Sequence, residues 1–240
     1  MQACCTIPPA SNSYEPKGRY VEIGGLKTYL AGDESSSKAI VDIYDIFGIS
    51  PPTLQGADRL ASQTKALVLV PDVLDEYVDA SLFPPDSKEK YDKIIEFVTT
   101  KANPVKRAQE VLEFVGAAKK AYPNVTAWGV LGLCWGGKLA VMLSGQDTPF
   151  AASAQTHPAQ LDPEDAKKLT VPHICLPSKD EPKEAIEEYK KILGQNDYIE
   201  VFDTMHHGFM GARARLDEEE FRTEYERAYK LVGDFFVKNL

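Results

Sequence analysis

The sequence predicts an α/β protein, a mostly parallel twisted sheet with helices on both faces. Three observations predict it. Short apolar runs alternate along the chain with stretches of helical spacing, the pattern of repeated βαβ units. One of those runs, Ala66-Leu67-Val68-Leu69-Val70, is apolar without alternation, as expected of a strand covered on both faces. Ionisable and nucleophilic residues gather just after the strand-like runs, where open parallel sheets place their sites.

The elements follow in order. Residues 1–18, with their Pro, Ser and Asn, read as an irregular N-terminal tail, and residues 19–240 as one domain. Tyr20 to Ile23 and Leu26 to Leu30, joined by Gly24-Gly25, form a hairpin pattern. Ala39 to Phe47 is an apolar strand ending at Gly48. Pro52 to Lys65 has helical spacing, with Leu54, Ala57, Leu60 and Ala61 on one face. Ala66 to Val70 is the next strand, stopped by Pro71. Residues 72–101 begin irregularly, with Phe83-Pro84-Pro85, and continue into a helix from Lys88 to about Thr100. They suggest a lid or pocket wall. A further helix starts near Pro104, where proline suits a first turn, and runs to Ala121. Strands are expected at Val125 to Leu131, Phe150 to Gln155, Val171 to Leu176 and Tyr198 to Phe202. Helices are expected at Gly136 to Ser144, Pro182 to Leu193 and Asp217 to Lys238.

Composition narrows the function. A hydrophobic content of 43% supports a sizeable core. A formal net charge of −9 argues against a nucleic-acid or anionic-membrane binder, because either needs a basic footprint. No apolar stretch approaches the roughly 20 residues of a membrane span. The N-terminus lacks a basic region and a long apolar stretch, so no secretory signal is expected. Cys4, Cys5, Cys134 and Cys175 are too irregular for a disulfide framework, and no C-x-x-C pair suggests zinc. A cytoplasmic protein, a monomer or small homo-oligomer, is expected.

The run Gly132-Leu133-Cys134-Trp135-Gly136-Gly137 carries the chemistry. It joins an apolar strand to a helix, with glycines two residues before and two after a thiol. This is the form of a nucleophile elbow with cysteine in place of serine. Glycines are needed there because the turn forces the nucleophile into a strained backbone that neighbouring side chains would hit. A thiol at a first helical turn is expected to lean towards thiolate. A buried cysteine beside a Gly-rich packing turn is the alternative. Other strand ends carry Asp45-Ile46-Phe47-Gly48, Pro177-Ser178-Lys179-Asp180 and Met205-His206-His207-Gly208-Phe209. The chain order is nucleophile, acid, histidine, the order of α/β-hydrolases.

On these residues the chain resembles the dienelactone hydrolase family, the small cysteine α/β-hydrolases, from about Tyr20 to Leu240. The resemblance implies an α/β-hydrolase fold, no metal or cofactor, and hydrolysis of a small-molecule lactone or activated carboxylic ester through a thioacyl enzyme. It implies Cys134 as nucleophile, His207 as base and Asp180 as the acid that orients it. The backbone amides of Ile46 and Trp135 would form the oxyanion hole. An auxiliary acid that contacts the thiol, usually glutamate in the family, would be Asp45, or Asp45 is satisfied by nearby backbone amides. Family members that open dienelactones carry an arginine after the next strand, where this chain has Asp72-Val73-Leu74-Asp75. They carry another shortly after the histidine, and Arg213 or Arg215 lies a little further on here. The incomplete clamp points to a larger, less charged lactone or ester. His157 and Arg213 are candidate substrate contacts. His206 is the weaker candidate base, and His173 and Cys175 read as core residues. Two other readings stay open on the same residues: a lactone-binding module with vestigial catalysis, and a lactone isomerase or acyl transferase of a biosynthetic pathway.

Overall fold

The computed structural model describes residues 7–11 and 13–240. Cys4 and Cys5 lie outside the described residues. A single sheet of eight strands runs through the molecule: β1 (Arg19–Ile23), β2 (Leu26–Ala31), β3 (Lys38–Ile43), β4 (Leu67–Pro71), β5 (Ala127–Leu133), β6 (Ala152–Thr156), β7 (His173–Leu176) and β8 (Tyr198–Ile199), in the spatial order β1-β2-β4-β3-β5-β6-β7-β8. The hairpin β1–β2 and the β2–β4 pair are antiparallel. Every pairing from β4 to β8 is parallel. The helices are α1 (Pro51–Thr64), α2 (Lys88–Thr99), α3 (Pro104–Ala121), α4 (Trp135–Met142), α5 (Pro163–Ala166), α6 (Lys183–Ile192) and α7 (Glu219–Asn239). This is the α/β-hydrolase fold, as the sequence predicts.

Alternation along β5 shows why helices cover both faces. Gly129 backs onto the Phe236 ring of α7, whereas Gly132 backs onto the main chain of Gly136 in α4. Positions of opposite parity face opposite ways, so α7 and α4 lie on opposite sides of the sheet. The continuous apolar strands β3, β4 and β5 are thereby sealed on both faces and form the centre of the core. The boundaries shift in one informative place. The strand expected to run to Phe47 stops at Ile43, and residues 44–48 leave the sheet. That departure brings Asp45 and Ile46 to the end of β5. The last strand shrinks to Tyr198–Ile199 plus a lone bridge between Ser178 and Phe202, which holds the two site loops side by side.

The segment after β4 is held by one buried cation. Arg107 of α3 donates to Val73 O at 2.9 Å, to Lys101 O at 2.8 Å and to Asp75 Oδ2 at 3.1 Å. By contrast, α2 buries only Ile94. No helix among the described residues is long and apolar enough to cross a membrane.

One core position is costly. Asp42 of β3 stands in register with Leu131, so its side chain shares the face covered by α7, whose Tyr225 and Tyr229 feel its charge. It is fully buried with no hydrogen-bond partner among the described residues, and burial pushes its carboxyl up to about 8. The unfolded chain releases this proton near pH 4 while the native protein keeps it, so stability falls as pH rises from about 4 to about 8. Asp42→Asn should therefore leave the melting temperature near the wild-type value at pH 4. It should raise it by about 5 °C or more at pH 8. Thermal melts across that range check the slope.

Candidate active site

The elbow is built as the glycines require. Cys134 sits between β5 and α4 at φ 54° and ψ −110°, a conformation that costs a non-glycine residue on the order of 1–3 kcal/mol. Surrounding bonds hold it there. Its N–H donates to Thr156 O at 3.1 Å, and its carbonyl accepts from Gly137 at 3.0 Å and Ala159 at 2.9 Å. A Cβ on Gly132 would lie 2.0 Å from Gly136 O, and one on Gly136 would lie 2.0 Å from Ile43 O. A methyl group at either position would push β3, β5 and α4 apart.

His207 reaches the thiol from the opposite loop. Its Nε2 lies 3.0 Å from Cys134 Sγ, and its Nδ1 lies 2.6 Å from Glu181 Oε1. The acid in the orienting position is thus Glu181, not Asp180 as the sequence reading expects. Asp180 is exposed, and its Oδ2 accepts from the backbone N–H of His207 at 2.8 Å. The reason is geometric. The histidine ring is fully buried, and at the turn after β7 only the second of the two adjacent acids points inward. Glu181 is 3% exposed, and its other oxygen accepts from the Ser178 N–H. Both acids therefore act on His207, one on the ring and one on the main chain. The adjacent pair Asp180-Glu181 was visible in the sequence, but nothing in the spacing chose between them.

Electrostatics keep the pair neutral at rest. Burial pushes the Cys134 thiol well above its ordinary range, and the charge of Asp45 adds to this, outweighing Arg213 and the Trp135 N–H, which pull the other way. Burial likewise holds His207 far below the usual imidazole value, helped by Arg213. Burial also raises Glu181, while the hydrogen bonds from Ser178 favour its carboxylate form. The expected lean towards thiolate is thus overturned: loss of solvation exceeds the help from a helix of eight residues. Asp45 does not bond the sulfur. Its carboxylate accepts from Phe47 N–H at 2.9 Å and Ala212 N–H at 2.8 Å.

The remaining candidates fall into place around this centre. Ile46 and Trp135 lie beside Cys134 in an apolar slot walled also by Val98, Pro104 and Ala159. The Trp135 N–H faces the sulfur, and its indole N–H donates to Ala102 O at 2.8 Å, which ties the end of the 72–103 segment to the elbow. His157 does not line the slot. It is fully buried at φ 33°, with its ring centroid 5.3 Å from that of His207 and 5.6 Å from that of Phe209. Arg213 is also buried. Its guanidinium lies over Phe47 and Phe83, and its Nε donates to Ile7 O. His206 bonds Arg213 O at 3.0 Å, away from the thiol. His173 is buried and bonded to Ser153 Oγ at 2.7 Å, and Cys175 is buried beside it on β7.

Comparison with known proteins agrees with this architecture. Residues 26–240 match the model of the dienelactone hydrolase family, and the chain belongs to that family. Two proteins of Schizosaccharomyces pombe, each described as an uncharacterized AIM2 family protein, are 34% and 31% identical. They match over 98% and 97% of this chain and 98% of their own lengths. A carboxymethylenebutenolidase homolog of Xenopus tropicalis is 25% identical over 94% of this chain and 92% of its own. Among solved structures, a putative dienelactone hydrolase from Klebsiella pneumoniae superposes with a TM-score of 0.71. That match covers 91% of this chain and 97% of the other at 16% identity, so it speaks for the fold.

The neutral resting thiol has a direct consequence. Alkylation of Cys134 by iodoacetamide should be slower at pH 7 than that of a free cysteine, and should keep climbing beyond the ordinary thiol range. Peptide mass spectrometry across a pH series checks this. Fast labelling of Cys134 that levels off below pH 7 would contradict it.

Proposed function

We propose that this member of the dienelactone hydrolase family hydrolyses a lactone or activated carboxylic ester through Cys134, His207 and Glu181, with a thioacyl-enzyme intermediate. The observation that carries the reading is the unbroken line from sulfur to imidazole to carboxylate, at 3.0 and 2.6 Å, inside a site closed to bulk water.

The geometry supports the following course. Because the thiol is neutral, attack on the substrate carbonyl is coupled to transfer of the Sγ proton to His207 Nε2. Glu181 stabilises the imidazolium that forms and holds its ring in place, while Asp180 holds its backbone. The oxyanion takes the N–H groups of Trp135 and Ile46, where one such donor is worth about 3 kcal/mol. The tetrahedral intermediate collapses as the leaving oxygen receives the proton from Nε2. Water then attacks the thioester with His207 as base, which releases the acid and returns the proton to sulfur. A thiolate leaves its tetrahedral intermediate more readily than an amine or alkoxide does. Lactones and activated esters, whose leaving oxygens are good, are therefore the favoured substrates.

Access is narrow. The slot has a free volume of about 20 Å³, room for roughly one water. An acyl group therefore enters by displacing the Val98 and Pro104 wall. The weakly buried helix α2, anchored through Ala102 and Arg107, is the part suited to move.

Turnover of aryl esters and enol-lactones should be lost in Cys134→Ala. It should fall about a hundredfold or more in kcat for Glu181→Gln, which leaves the imidazolium without a carboxylate. Asp180→Asn should cost less, because it touches only the main chain. Steady-state kinetics on the three variants check the ranking. Equal turnover by wild type and Cys134→Ala would sink the reading, and a larger loss for Asp180→Asn than for Glu181→Gln would return the orienting role to Asp180.

A further inference from the structure

We propose that the slot beside Cys134 takes a neutral, apolar acyl group, and that the ion pair Lys138–Asp165 sets this preference. The inference rests on the hydrolase reading above and concerns which acyl groups that site accepts.

Apart from the elbow itself, the slot is lined by Ile46, Val98, Pro104 and Ala159, with Lys138 and Gln160 as its polar residues. Lys138 stands in the first turn of α4, four residues after Cys134, and lines the same slot. An ammonium so placed is well positioned to greet a substrate carboxylate. It is already engaged. Asp165, at the end of the short helix α5, bonds the Lys138 Nζ, and the two side chains are only 15% and 9% exposed. The second oxygen of Asp165 faces Lys168 at 3.9 Å, but that lysine is 73% exposed and largely screened by solvent. A close pair in a weakly polar setting presents little net charge to a third group, so Lys138 offers the slot its methylene stem.

Arg213, the other buried cation near the thiol, is turned to Ile7 O and the faces of Phe47 and Phe83, outside the lining of the slot. A carboxylate entering the slot would lose its water without gaining a charged partner, which is strongly unfavourable. An alkyl or aryl acyl group loses nothing there and gains contact with the four apolar walls. Asp165 thus acts as a specificity residue by holding the ammonium away from substrate.

The test compares two esters of matched length with the same leaving group, p-nitrophenyl butyrate and p-nitrophenyl hemisuccinate, near neutral pH. In wild type, kcat/KM should favour the butyrate by about tenfold or more. Asp165→Asn releases the ammonium and should move the ratio about tenfold towards the hemisuccinate. Lys138→Met keeps the stem, leaves Asp165 as the nearest charge, and should move the ratio the other way. Opposite shifts from the two variants are the signature. A pair that only fastens α4 to α5 would slow both esters alike and leave the ratio unmoved, and that result overturns the proposal. So does a wild-type preference for the hemisuccinate. If Asp165→Asn folds poorly, Lys138→Met alone decides by the direction of its shift. Activity on both esters that survives Cys134→Ala would instead indict the hydrolase reading.

Discussion

The constraint on which the rest of the structure depends is the placement of one strained residue, Cys134, inside a closed interior within 3.0 Å of a neutral imidazole. A positive φ at a cysteine persists only where the surroundings over-determine it. Here they do so from every side. Gly132 and Gly136 let β3, β5 and α4 meet without side chains between them. The end of β6 and the loop after it fasten the Cys134 main chain at two points, through Thr156 and Ala159. The bridge between Ser178 and Phe202 brings the acid loop beside the histidine loop. The sheet order, with β5 flanked by β3 and β6, is what makes these three strand ends neighbours.

Burial is the second half of that constraint, and it decides the chemistry. It takes solvent from sulfur and imidazole alike, and each then prefers its neutral form. A thiolate–imidazolium pair poised at rest is thereby avoided. In the proposed mechanism charge develops only when a carbonyl arrives to receive it, between the amides of Ile46 and Trp135. The same low polarity gives Asp45 its role. Tied to the N–H groups of Phe47 and Ala212, it joins the β3 end to the histidine loop and adds to the effect of burial on the thiol without touching it.

How much of this was legible depended on the range over which each signal acts. The elbow is a local steric demand, so Gly132-Leu133-Cys134-Trp135-Gly136 announced it without help from the rest of the chain. The alternation of apolar runs and helical spacing likewise gave the sheet and its helices, because burial on two faces is written into each strand. The His207 ring meets Glu181, one residue beyond the Asp180 that the spacing offers. Asp180 and Glu181 are equivalent in charge and differ by one methylene, and their roles follow from which way a turn of a few residues faces. His157 and Arg213 were expected to meet substrate, but contacts far away in sequence bury them, Arg213 beneath Ile7 some 206 residues earlier. The charge state of the thiol is hidden from the sequence for a related reason. A helix terminus is visible in a sequence, whereas the depth at which it is buried is not.

The central claim is that acyl groups pass through Cys134 sulfur on their way to water. Rapid-quench mass spectrometry of the wild-type protein mixed with an activated aryl ester tests it most directly. An acylated peptide containing Cys134 should appear within the first turnover and decay at a rate no slower than kcat. Steady turnover with no acyl group ever found on Cys134 would contradict it.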